Sequence, residues 1–165
     1  MNNNIEINLI KNIQKLSKLE TNTNNINFIT LFMNLISSLF HLYFFIIIIL
    51  FLYWKKKINI KHLGIIALSQ FIVLIIKNII KRKRPYVINN NIKLLEPMSI
   101  DTYSFPSGHV VSACLLVYYL DIPNYKLILS SVPYLVGLSR IYLGVHYPTD
   151  VIGGIILSQI IFRSF

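Results

Sequence analysis

Long apolar runs, broken at a few polar places, set the layout of this chain. From Thr21 to Trp54 there is no Asp, Glu, Lys or Arg. Phe28 to Tyr53 is long enough to cross a bilayer at about 1.5 Å of rise per residue. It ends in Tyr53 and Trp54, where aromatic side chains sit at headgroup level. Leu63–Ile80 is a second span. Three shorter apolar segments follow, His109–Leu120, Lys126–Tyr142 and Asp150–Phe165. Segments this short are marginal spans when alone, but beside two longer ones they read as a compact membrane bundle. Ile5, Leu9, Ile13 and Leu16 recur at helical spacing, with Lys11, Lys15 and Lys18 between them. They predict a short amphipathic helix, lying either on the membrane surface or against the protein itself.

The predicted architecture is therefore all-α. It is a multi-span membrane bundle of about five transmembrane helices with an amphipathic N-terminal helix. Residues 1–27 are read as that helix and an Asn/Thr-rich linker, and 28–165 as one membrane-embedded domain. Asn34, Ser37, Ser38 and His41, inside the first span, read as groups that hydrogen-bond between helices. The polar N-terminus shows no cleavable signal-peptide pattern.

Composition supports this reading. Hydrophobic residues make up 55% of the 165 residues and charged residues only 13%, yet the net charge is +10. Mean hydropathy is +0.60. Such a chain is too apolar to be disordered. It also lacks the solvated basic face of a soluble nucleic-acid binder, so no nucleic-acid partner is expected. The single cysteine, Cys114, excludes an intramolecular disulfide and a cysteine-built metal cluster, and its apolar neighbours make it a buried thiol.

Three polar islands interrupt the apolar runs. The first is Lys77 with Arg84-Pro85. The second is Ser104-Phe105-Pro106-Ser107-Gly108-His109. The third is Ser139-Arg140 with His146 and Asp150. Ionisable groups at the edge of apolar spans are costly and need a reason. Counting the crossings brings all three islands to one membrane face. Taken singly, each residue has an ordinary structural reading, as a snorkelling cation, a helix cap or a first-turn acid. Lys81, Arg82 and Lys83 read as interfacial charges.

Together they do more. Lys77, Arg84 and Arg140 offer a compact charge and two planar forks that match phosphate oxygens. Ser107 and Gly108, just before a helix, present backbone N–H groups at a positive dipole end. Asp150, four residues after His146, can hold one imidazole nitrogen as N–H and leave the other free to attack. His109 can protonate a leaving oxygen. The set fits phosphoryl transfer through a phosphohistidine.

These islands resemble the three motifs of the type 2 phosphatidic acid phosphatase family, which shares its core with vanadium haloperoxidases. In words the motifs are Lys-x6-Arg-Pro, Pro-Ser-Gly-His and Ser-Arg-x5-His-x3-Asp. Each position is matched, by Lys77, Arg84 and Pro85, by Pro106, Ser107, Gly108 and His109, and by Ser139, Arg140, His146 and Asp150. The resemblance covers roughly Leu63 to Leu157. It implies an all-α bundle with His146 as nucleophile, Asp150 as its partner and His109 as general acid. It also implies that Lys77, Arg84, Ser107, Gly108 and Arg140 hold the phosphate, with neither metal nor other cofactor. Membrane members of the family usually carry six spans, one more than is counted here.

A site at the membrane edge suits a lipid phosphate or diphosphate whose tails stay in the bilayer. The basic turn at Lys55, Lys56, Lys57 and Lys61 falls at the opposite face. By the positive-inside rule this puts the site on the luminal or extracellular side. The alternatives are a non-catalytic lipid-phosphate-binding membrane protein and a vanadate-dependent, haloperoxidase-like oxidoreductase. Oligomeric state is left open.

Overall fold

The computed structural model describes residues 3–15, 28–96, 102–120 and 122–165. Leu16, Lys18, the 21–27 linker, Pro97 and Asp121 lie outside them. The described chain forms α1 (Asn3–Lys15), α2 (Phe28–Leu39), α3 (Leu42–Trp54), α4 (Ile60–Ile80), the single turn α5 (Pro85–Ile88), α6 (Gly108–Tyr119), α7 (Lys126–Tyr142) and α8 (Pro148–Ser164). A 3₁₀ turn, Pro123–Tyr125, leads into α7.

The bundle is built around α6. Val110, Val111, Ala113, Cys114 and Leu115 are all buried, so this helix is enclosed on every side and needs no polar face. It packs against α4, α7 and α8. Close approach depends on missing side chains in α7 and α8. A Cβ on Gly154 would lie 2.9 Å from the Ser107 carbonyl oxygen, and one on Gly137 would lie 2.5 Å from Val151. Because α8 can approach so closely, its N-terminus meets the N-terminus of α6.

Polarity is inverted relative to a water-soluble bundle. Ile152, Ile156 and Ile160 form a stripe on the outside of α8, and Phe71, Leu74 and Ile79 are exposed on α4. Ser69, Ser112, Ser139, Ser158, Lys77, Arg84, Arg140, His146 and Asp150 are buried. An apolar exterior of this extent, over a hydrogen-bonded polar interior, matches a surface solvated by lipid. Among the described residues, α4 is the one helix that by length and hydropathy suffices by itself to cross a bilayer, and the α2–α3 pair suffices when the two are taken together. Helices α6, α7 and α8, at 12, 17 and 17 residues, are shorter.

Two features differ from the sequence reading or resolve it. The first span is not one rod. It bends by 55° between α2 and α3. His41 is extended, and the Phe40 and His41 amides bond Ser37 and Ser38 in the tighter i→i+3 pattern. Ser37 accepts from Arg140 of α7, as expected of a group that bonds between helices, while Asn34 bonds a loop instead. Asn34 donates to the Leu95 carbonyl at 3.0 Å, and Ser37 donates to Glu96 at 3.2 Å. These bonds tie α2 to the loop before α6, which holds the bend in place.

The amphipathic α1 lies against the protein. Ile7 and Ile10 are buried, and Gln14 donates to the carbonyls of Lys93 (2.8 Å) and Tyr142 (2.9 Å). At the far end of the bundle, Lys61 Nζ donates to the Phe165 carbonyl at 2.7 Å. The basic turn therefore sits at the opposite end of α8 from Asp150.

Candidate active site

All three polar islands meet at one end of the bundle. Lys77 is in the last turn of α4, which Lys81 stops by adopting the left-handed conformation (φ 52°, ψ 34°). The chain then runs extended through Arg82–Arg84. It bridges antiparallel to Tyr103, with the Ser104 amide donating to the Arg82 carbonyl at 2.8 Å. Pro85 at the first position of α5 turns it away. The second island enters α6 at Ser107, whose amide donates to the Asp150 carbonyl at 3.1 Å, so islands two and three are joined through the backbone. The third island reverses between α7 and α8 at Gly144 (φ 78°), where a Cβ would lie 2.5 Å from the Lys93 carbonyl oxygen.

Buried cations line the site. Lys77 Nζ donates to the Tyr103 carbonyl at 2.8 Å, and Arg84 Nη1 to the Val145 carbonyl at 3.2 Å. Arg140 is gripped by the Glu96 carboxylate, with Nη2 at 3.1 Å from Oε2 and Nη1 on Oε1, and Nη1 also donates to Ser37. Asp150 is fully buried. Its Oδ2 accepts the Tyr147 amide at 2.8 Å, closing the first turn of α8, and lies 3.4 Å from His146 Nδ1. That separation is longer than a formed hydrogen bond.

Several polar atoms point into this region without a hydrogen-bond partner. They are Ser107 Oγ, His109 Nε2, Arg140 Nε and His146 Nδ1, all buried. Buried polar groups are nearly always satisfied, so a cluster of unsatisfied ones marks a place for a polar ligand. Arg84, Lys77 and Arg140 all lie near enough to act electrostatically on His146, and the collected positive charge selects an anion. Among the described residues, no group of three or more His, Cys, Asp or Glu side chains is arranged to hold a metal ion.

His146 lies in the loop between α7 and α8. Burial, followed by the charges of Arg84, Lys77 and Arg140, pushes its pKa well below the ordinary 6.5. A nucleophilic imidazole must be neutral, so lowering its pKa preserves the reactive form as pH falls through 6.5. The acid limb that His146 imposes on kcat/KM is expected below pH 6.5, after correction for the substrate's own ionisation. A limb at or above 6.5 that vanishes in a His146 variant would contradict this.

Sequence reasoning missed four participants. Arg82, read as an interfacial charge, instead turns inward to Asp150 Oδ1 at 2.6 Å. Glu6 bonds Arg82 at 2.7 Å and Thr149 Oγ1 at 2.7 Å. Glu96 holds Arg140. His41, at the bend, stands edge-on to His109 with ring centroids 6.2 Å apart. A signal for Arg82 was available. In an extended segment residues two apart share a face, so Arg82 belongs with Arg84. Lys81 and Lys83 are indeed exposed.

Comparison with known proteins agrees with this geometry. The sequence pattern described as the PAP2 superfamily matches residues 58–164. The chain is 36% identical over 107 residues to the undecaprenyl-diphosphatase of Sulfolobus acidocaldarius, covering 60% of this chain. The aligned stretch spans 52% of that protein, so this chain matches about half its length. Among solved structures, Aquifex aeolicus LpxE superimposes with a TM-score of 0.73 at 26% identity, covering 95% of this chain and 94% of that one. A transmembrane PAP2-type phosphatidylglycerolphosphate phosphatase from Bacillus subtilis superimposes with a TM-score of 0.70 at 25% identity, covering 95% and 82%.

Proposed function

Because the chain belongs to the PAP2 superfamily, we propose that it is an integral-membrane, metal-independent phosphatase acting on a lipid phosphate or diphosphate. The observation that carries this reading is the convergence of His146, His109 and Ser107, each with an unsatisfied buried polar atom, among the buried cations Lys77, Arg84 and Arg140.

The reaction runs in two halves. Asp150 keeps the proton on Nδ1 of His146, and Nε2 attacks phosphorus. The bond between phosphorus and the leaving oxygen breaks, the electron pair stays on that oxygen, and His109 donates the proton that neutralises it. The product is a lipid alcohol, or a lipid monophosphate when the substrate is a diphosphate. Water then attacks the phosphohistidine. His109 takes the water's proton, the phosphorus–nitrogen bond breaks and inorganic phosphate leaves. Lys77, Arg84, Arg140, the Ser107 hydroxyl and the Gly108 amide stabilise the charge on the equatorial oxygens throughout, the Ser107 amide being held by the Asp150 carbonyl. With the basic Lys55–Lys61 turn at the opposite end, this site faces the luminal or extracellular side. Lipid tails remain in the bilayer beside the exposed apolar faces.

The test is phosphate release in detergent micelles from phosphatidate, an isoprenoid diphosphate and a sphingoid phosphate, with and without excess EDTA. Release is expected to survive EDTA and to be blocked by vanadate, which mimics the five-coordinate transition state. Release that stops with EDTA and returns with a divalent cation would refute the mechanism.

A further inference from the structure

Both terminal nitrogens of the Arg82 guanidinium and one of its faces are engaged. Nη1 donates to Asp150 Oδ1 at 2.6 Å and to Thr149 Oγ1 at 2.7 Å. Nη2 donates to Glu6 Oε2 at 2.7 Å. The group lies 3.9 Å from the centroid of the Tyr147 ring, which it covers face-on. Glu6 also accepts from the Thr149 amide (3.0 Å) and hydroxyl (2.7 Å) through its other oxygen. Two chain segments 76 residues apart are thus locked around the start of α8.

We propose that Arg82 is a positioning residue for the His146–Asp150 pair, and that Glu6 of α1 positions Arg82 in turn; the proposal rests on the phosphohistidine reading above. A carboxylate has two oxygens and can rotate. Here Oδ2 is claimed by the Tyr147 amide and faces His146 Nδ1, while Oδ1 is claimed by Arg82. With both oxygens fixed, the carboxylate plane is fixed, and so is the direction from which the imidazole is oriented. The planar fork of arginine meets Asp150 and Glu6 at the same time, which a lysine ammonium at that place does less well. A fully buried carboxylate also needs a close cation to stay charged. Arg82 does not reach the phosphate itself, so its effect passes through Asp150. The N-terminal helix thereby becomes part of the catalytic support.

The experiment compares wild type, Arg82→Ala, Arg82→Lys, Glu6→Gln, the Arg82→Ala/Glu6→Gln double variant and His146→Ala as full-length detergent-solubilised protein. Each is assayed with phosphatidate and with undecaprenyl diphosphate, and each is also assayed for inhibition by inorganic phosphate. Arg82→Ala is expected to lower kcat about 10- to 100-fold, the range typical for groups that orient a catalytic residue, with phosphate inhibition within about twofold of wild type. Arg82→Lys should recover part of kcat. Glu6→Gln should lower kcat less, and add nothing in the Arg82→Ala background, because glutamine keeps an oxygen for the Thr149 amide and hydroxyl and gives up only the ion pair with Arg82. Wild-type kcat in Arg82→Ala, with His146→Ala inactive, would overturn the role of Arg82 alone. So would a loss in both Arg82 variants matched by an equal weakening of phosphate inhibition, which would mean general disruption. Full turnover by His146→Ala, or no turnover of either lipid by wild type, would instead overturn the phosphatase reading and this inference with it.

Discussion

His146→Ala is expected to release phosphate at least about 10⁴-fold more slowly than wild type on any lipid substrate, because in the proposed mechanism the variant has lost the atom that forms the covalent bond. What is left, the proposed clamp of Lys77, Arg84, Arg140, the Ser107 hydroxyl and the Gly108 amide, should still bind phosphate but cannot open the two-step route. The folded protein should persist. His146 is buried among three cations, and its replacement removes a polar ring whose Nδ1 has no hydrogen-bond partner, at the cost of one bond to the Ser104 backbone. Two measurements check the claim together. Steady-state release gives the size of the loss. Rapid quenching with ³²P-labelled substrate should trap an acid-labile, base-stable phosphoenzyme in wild type and none in the variant. Turnover within about tenfold of wild type would exclude His146 as the nucleophile.

The second large effect is expected at His109, and its size should depend on the leaving group. His109 sits one residue inside α6, beside the Ser107–Gly108 amides, with Nε2 buried and unpartnered. From there it can protonate the departing lipid oxygen, a poor leaving group that needs a proton. His109→Ala should therefore slow lipid hydrolysis by about 10²- to 10⁴-fold. On an aryl phosphate whose phenol is already a good leaving group, the loss in formation of the phosphoenzyme should be far smaller. A nucleophile shows no such selectivity, so the ratio of the two losses separates the roles of His109 and His146. Equal losses on the alkyl and aryl substrates would exclude His109 as the general acid.

Much of the candidate site was legible in the sequence for a reason particular to apolar chains. Where ionisable groups are costly, those that remain stand out, and Lys77, Arg84, Arg140, His146 and Asp150 are the ones found buried at one end of the bundle. The crossing count needed only the order of apolar runs. Helix α7 runs from Lys126 to Tyr142 as its apolar pattern predicts. The bend at Phe40–His41 was not legible, because no Pro or Gly marks it. It is held by Asn34 and Ser37 bonding to Leu95 and Glu96, some sixty residues away in the chain.

Local patterning by itself determined the all-α class, the placement of the apolar segments and the identity of the three islands. Hydropathy and spacing are properties of neighbouring residues, so they can be read without a fold. Only the tertiary structure decided that α1 lies on the protein, that Arg82 turns inward while Lys81 and Lys83 face out, and that Glu96 occupies Arg140. Each of these is a pairing of opposite charges or hydrogen-bonding groups far apart in sequence. Which cation meets which carboxylate depends on where helix ends come to rest in space. The close approach of α6 and α8, which Gly154 permits, is what brings Asp150 and its partners to the place where the other two islands wait.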